Sequence, residues 1–182
     1  MKYSNSNIGN LMKSEHLSGF LLFWGHNQRA ESPDKSCLSQ WFDCRFTADG
    51  REYHTAEQYM MAHKAMLFGD NAVLEEIMSA DNPAVYKKLG RKIRGFDEEI
   101  WKQHRTEIVI EGNMAKFSQN EPLKQFLLST APKVLVEASP YDSIWGIGIA
   151  ADMPDAQNPE KWRGSNLLGF CLIEVRDRLM NE

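Results

Sequence analysis

The chain has 182 residues, with 21 Lys+Arg against 25 Asp+Glu and a formal net charge of −4. A chain of this length fits one domain and buries about 70% of its unfolded surface, so a core forms without disulfides or metal. The acidic balance excludes a wholly basic nucleic-acid glove, and 12 Gly with 7 Pro are too few for a fibrous or low-complexity chain.

Residues 1–18 are rich in Ser, Asn and Lys and read as a flexible lead-in, leaving 19–182 as the domain. Phe20 to Trp24 is a short apolar run, long enough for a buried strand that ends at Gly25-His26. A polar loop with Pro33 follows. Phe42, Cys44 and Phe46 alternate with Asp43 and Arg45, the period of a half-buried strand. Asp49-Gly50 then predicts a hairpin turn, with Tyr53 on the return strand.

Thr55 opens a helix, with Thr55 and Gln58 spaced as a capping box and Gly69 as the stop. Asp70 caps the next helix, and Asn82-Pro83 starts another that runs to Gly90. Asp97 caps a longer one carrying Trp101 and Ile108. Glu121-Pro122 begins the helix of Leu123 and Leu127. Val134-Leu135-Val136 reads as a buried strand. Residues 139–165 form a long loop, a length usually functional or disordered in a compact domain. Leu167 to Leu179 is a final amphipathic piece. The sum predicts an α+β fold, mostly helical, with a small β-sheet and no internal repeat.

Other classes drop out. No apolar run approaches the roughly 18 residues that span a bilayer, and the start has no apolar signal-peptide core. Cys37, Cys44 and Cys171 are odd in number and form no C-x-x-C, and the five His lack metal-ligand spacing. The expectation is a reduced, cytoplasmic protein with no membrane contact, no metal and no cofactor.

The helix from Thr55 to Gly69 is apolar nearly all round, as a central helix must be. Its two charged residues, Glu57 and Lys64, are seven apart and therefore share a face, about 10 Å apart along the axis. Both could reach one ligand placed over Met60 and Met61. Such charges are either paired structurally or kept for function. Lys87 to Arg94 holds five basic residues in eight, either a phosphate site or a solvated helix end. Arg91 beside Gly90 is the expected phosphate contact, since Gly lets backbone approach a ligand. Tyr141 to Gly148 offers an aromatic wall in Trp145, a close-approach backbone at Gly146 and a carboxylate in Asp142; the alternative is a core Trp with turn glycines. Gly146-x-Gly148-x-x-Ala151 is no dinucleotide fingerprint, because Asp152-Met153-Pro154 follows instead of a helix. Trp24, Trp41 and Trp162 sit at segment edges, which suits stacking.

Taken together, Phe23-Trp24-Gly25-His26, Leu38-Ser39-Gln40-Trp41-Phe42, Tyr53 to Ala62, Lys64-Ala65 and Leu89-Gly90-Arg91 resemble the NADAR family of YbiA-like proteins. Gly112-Asn113 through Asn120, Leu135 to Pro140, Ile144 to Gly148 and Trp162-x-Gly164-x-Asn166-x-Leu168-Gly169 extend the resemblance in order to the chain's end. It implies an α+β domain that cleaves N-glycosidic bonds to ribose phosphate, either in riboflavin-pathway aminopyrimidine intermediates or in ADP-ribosylated guanine. A non-catalytic ADP-ribose sensor is the alternative of another class. The partner is then a phosphorylated riboside or ADP-ribose-type small molecule, with ADP-ribosylated nucleic acid as a variant.

Ribosyl C–N cleavage builds positive charge at C1′ and needs a proton for the leaving nitrogen. On that chemistry the catalytic residues are Glu57, as acid/base or as stabiliser of the cationic sugar, Lys64, as a nucleophile or a contact, and Asp142, which with Asn166 binds ribose hydroxyls. Trp24 or Trp145 stacks on the base and Arg91 holds phosphate. The matching motifs add Phe23, Gly25, Ser39 and Gly146 as substrate-binding positions.

Overall fold

The structure is a computed structural model that describes residues 2–14, 17–28 and 31–181. These residues form the helices α1 (Asn5–Lys13), α2 (Ala56–Leu67), α3 (Asn71–Ser79), α4 (Pro83–Gly90), α5 (Glu98–Ser118), α6 (Glu121–Ser129) and α7 (Leu167–Met180). The strands are β1 (Phe20–Phe23), β2 (Phe46–Ala48), β3 (Arg51–Tyr53) and β4 (Val134–Glu137). The fold is the expected α+β, mostly helical. Its strands form two separate pairs, β1 parallel to β4 and β2 antiparallel to β3. The backbone divides into two compact units, residues 1–39 with 121–182, and residues 40–120.

In the unit built from the two ends of the chain, β1 and β4 pair from Phe20↔Val134 to Phe23↔Glu137. Val134, Leu135 and Val136 are fully buried, as a strand covered on both faces requires. Helix α7 packs on β4, and its close approach is made possible by Gly169. A Cβ there would lie 2.1 Å from the Leu135 carbonyl oxygen and 2.6 Å from Asn166 Oδ1. Backbone cannot yield as a side-chain end can. Gly169→Ala is therefore expected to cost about 3 kcal/mol, the upper range for overpacking. Urea unfolding checks it; an unchanged midpoint would contradict the packing described.

The loose lead-in expected for residues 1–18 needs correction, because α1 occupies its middle. Ser4 caps it, with the Ser4 N–H donating to Asn7 Oδ1 at 2.9 Å. Tyr3 and Ile8 are buried, Asn5 Nδ2 donates to the Gly164 carbonyl at 3.0 Å, and Lys2 Nζ pairs with Asp177 at 3.1 Å. The Ser and Asn that read as loop composition are the cap of this helix.

In the middle unit, α2 is central and packs against α3, α4 and α5. Its start follows expectation in part. Thr55 Oγ1 accepts from the Gln58 N–H at 3.1 Å, but Gln58 Oε1 accepts from His54 N–H at 2.8 Å, one residue before the cap. Gly69, at φ 69°, ends the helix in the left-handed region. The β2–β3 turn is also as expected, with Asp49 and Gly50 both at positive φ, the requirement of a type I′ turn. The strand predicted over Phe42–Phe46 begins only at Phe46. Phe46 sits with Tyr53, Tyr59 and His63 in one aromatic cluster. Asp70 caps α3 through the Val73 N–H and takes the Arg94 guanidinium at 2.7 and 3.1 Å. Arg94 thereby holds the Asp70 carboxyl well below the usual carboxylate range.

Candidate active site

In the middle unit, Glu57 lies in the first turn of α2, and its side chain is 4% exposed. Its N–H would be an orphan of the helix end and donates instead to the Gln40 carbonyl at 2.9 Å. That bond ties α2 to residue 40. The Gln40 side chain is in turn clamped to α5: Asn113 Nδ2 donates to Gln40 Oε1 and to the Val109 carbonyl, both at 2.8 Å. Two acceptors fix the Asn113 nitrogen, and therefore fix which Gln40 atom faces it. Sequence reading missed this pair, although both residues lie inside the quoted motifs.

Lys64 is half-buried two turns on along α2. Its Nζ donates to the Gly90 carbonyl at 3.0 Å, 4.1 Å from the centroid of the Phe96 ring and 5.4 Å from that of Trp101. Burial pulls its pKa below the ordinary lysine value, and the charges of Glu98 and then Glu57 oppose that shift. Met60 and Met61 are core residues. A Cβ on Gly90 would sit 2.1 Å from Met61 Sδ, so the missing side chain at 90 makes room for Met61 rather than for a ligand. Within the basic run, Arg94 is spent on Asp70. Arg91 is exposed and makes no ion pair among the described residues.

In the other unit, Trp24 is 56% exposed just beyond β1, and Gly25 follows at φ 86°. The Trp24 ring is 6.0 Å from that of Tyr141, tilted by 51°. Trp24, Gly25, Asp34, Lys35 and Ser36 line a cavity of about 370 Å³. Ser39 is half-buried and closes the short helical turn Lys35–Leu38. Asp142 Oδ1 accepts from the Ile144 and Trp145 N–H groups at 2.9 and 2.8 Å, which leaves Oδ2 without a partner among the described residues. Trp145 is half-buried beside it.

Three expected contacts need correction in this unit. Phe23 is 1% exposed and belongs to the core. Gly146 is buried against its own chain: a Cβ would meet the Glu137 carbonyl at 2.8 Å. Asn166 is fully buried in the left-handed conformation and uses both ends of its amide on β4. Its Oδ1 accepts from Glu137 N–H and its Nδ2 donates to the Leu135 carbonyl, each at 3.0 Å. Asn166 thereby ties the start of α7 to β4. Trp162 is likewise structural, its Nε1 donating to the Ala156 carbonyl at 3.0 Å.

Among the described residues no three His, Cys, Asp or Glu side chains are grouped to hold a metal. No helix among them is long and apolar enough to cross a membrane.

Comparison with known proteins adds to this geometry. A family model described as the NADAR domain matches residues 22–180. An N-glycosidase of Acanthamoeba polyphaga mimivirus is 47% identical over 145 residues, 77% of this chain and 85% of its own. N-glycosidase YbiA of Escherichia coli (strain K12) is 30% identical over 156 residues, 86% of this chain and 89% of its own. The NMR structure of the E. coli protein YbiA is similar with a TM-score of 0.73 and 27% identity, over 91% of this chain and 87% of that one. A Zea mays protein named Riboflavin biosynthesis protein PYRR, chloroplastic, is 33% identical over 134 residues, 69% of this chain and 20% of its own length.

Proposed function

The chain belongs to the NADAR family, and from that premise we propose that it is an N-glycosidase of riboflavin-pathway intermediates. It hydrolyses the bond between an aminopyrimidine and C1′ of ribose 5-phosphate. In the net reaction the C1′–N bond breaks, the leaving nitrogen takes a proton and water supplies the C1′ hydroxyl, giving the free base and ribose 5-phosphate. The observation that carries the reading is α2, which holds a buried carboxylate at Glu57 and an amine at Lys64 set against the Phe96 and Trp101 rings. Cleavage of an N-glycoside asks for both kinds of group. The names of the mimivirus and E. coli relatives support the reaction class, and the name of the maize relative supports the pathway.

The test is to incubate the purified protein with a ribosylaminopyrimidine 5-phosphate, with ADP-ribosylated guanine and with NAD. Release of ribose 5-phosphate from the first alone supports the proposal. Release of ADP-ribose from the second moves the substrate to nucleic-acid repair chemistry, and binding with no turnover makes the chain a sensor.

Phosphate recognition gives a separate expectation. Arg91 is the exposed fork in the basic run, and Arg94 is tied to Asp70. Arg91→Ala is expected to raise KM about tenfold, the scale of a charge-assisted hydrogen bond. Lys87→Ala and Lys88→Ala are expected to change it less. Steady-state kinetics on the phosphorylated riboside and its dephosphorylated form check this. Equal, small effects at all three positions would make the run a solvated helix end.

A further inference from the structure

We propose that Trp24 and Tyr141 form a two-sided clamp that stacks on a planar heterocyclic base, with Tyr141 setting how tightly the base is held. The choice of ligand class rests on the N-glycosidase reading.

The first observation is exposure. Tyr141 is 87% exposed and Trp24 56%, two large aromatic side chains left facing water next to each other. Exposed apolar area of that size is unfavourable unless it is used. The second is their spacing. The ring centroids are 6.0 Å apart and the planes tilt by 51°, neither parallel nor edge-on. A ring stacked between two others needs about 7 to 8 Å, two van der Waals separations. Opening by an ångström or two and turning parallel is therefore all the clamp has to do.

The turn that carries Tyr141 favours that movement. The Tyr141 N–H donates to Ser139 Oγ at 3.3 Å, and the next residue, Asp142, binds the Ile144 and Trp145 amides. The backbone is thus anchored, while the Tyr141 hydroxyl has no partner among the described residues. An anchored backbone with an untethered ring is a side chain that rotates without moving its loop.

The third observation is the cavity beside Trp24. Ser36 is 6% exposed and lines it, and its Oγ is buried with no hydrogen-bond partner among the described residues. Aromatic faces beside a cavity whose lining includes Asp34 and Lys35 describe a site for a polar, planar ring. Stacking is tolerant of ring identity because every base has a π-face. The clamp therefore selects a planar heterocycle without separating a pyrimidine from a purine.

Isothermal titration of the whole protein with two free bases, a diaminohydroxypyrimidine and adenine, tests this. Both are expected to bind the native protein. Tyr141→Ala is expected to weaken both at least about fivefold, the lower bound for losing one stacked aromatic. Tyr141→Phe should bind as the native protein does, since the ring face is kept. Met153→Ala removes another exposed apolar side chain of the 139–165 loop and should change nothing. The clamp is overturned if neither base binds, if Tyr141→Ala binds normally, or if Tyr141→Phe is as weak as Tyr141→Ala. Binding of a free base does not require turnover. A protein inactive on every riboside that still shows this pattern would sink the N-glycosidase reading and leave the clamp standing.

Discussion

Glu57→Gln is expected to lower turnover of the phosphorylated riboside by about 10²-fold or more, with the fold intact. The size is the usual one for losing a group that donates or accepts a proton in the transition state. The fold should survive because Gln matches Glu in shape and α2 is anchored by other means. Thr55 caps its start, and the Glu57 backbone N–H reaches the Gln40 carbonyl. The charge of Glu57 does favour its place in the first turn, where the helix dipole is positive, but that contribution is about 0.3–1 kcal/mol. Circular dichroism and a melting curve report the fold, and initial rates report the chemistry. A protein carrying Glu57→Gln that turns over within a few-fold of the native rate would remove Glu57 from the reaction. If Glu57 is the acid, a riboside with a good leaving group, which needs no proton, should recover most of the lost rate.

The features legible in the sequence are those set by neighbours along the chain. Thr55, Asp70, Asn82 and Asp97 each cap a helix as read, because a cap depends on its own side chain and a backbone N–H two or three residues on. Asp49-Gly50 made its turn for the same reason. What stayed illegible was set by contacts distant in sequence. Asn166 reads as a ribose contact, but its partners are Leu135 and Glu137 on a strand about thirty residues away. Gly90 read as room for a ligand and is room for Met61 of another helix. The residues around Lys64 were missed likewise. Trp101 has the helical spacing of a core residue, and nothing local in Phe96 announces that its ring will lie near an amine on α2. Composition misled at α1, where capping residues and loop residues are the same amino acids.

Lys64→Arg is expected to abolish turnover, by at least about 10³-fold, the scale for removing a covalent nucleophile. On this proposal the neutral amine attacks C1′, the C1′–N bond breaks as C1′–Nζ forms, and the proton lost by Nζ is passed through Glu57 to the departing base. Ring opening then gives an imine between C1′ and Nζ, and water releases ribose 5-phosphate and restores the lysine. The surroundings pull both ways. Burial disfavours the ammonium, while the Glu98 and Glu57 charges and the Phe96 ring face favour it. The Gly90 carbonyl is compatible with both forms, because a neutral amine donates one hydrogen to it and keeps its lone pair for C1′. The sign of the pH dependence follows. The reactive form is the deprotonated one, so kcat should rise with pH through the Lys64 pKa, and burial places that rise below the ordinary lysine range. Arg cannot follow, since it stays charged at every accessible pH and offers no nucleophilic lone pair. Borohydride added during turnover should reduce the imine and leave a ribosyl adduct on the Lys64 peptide, read by mass spectrometry. Brisk turnover with no adduct, an active Lys64→Arg and a flat pH profile would make water the nucleophile and Lys64 a contact to the sugar or its phosphate.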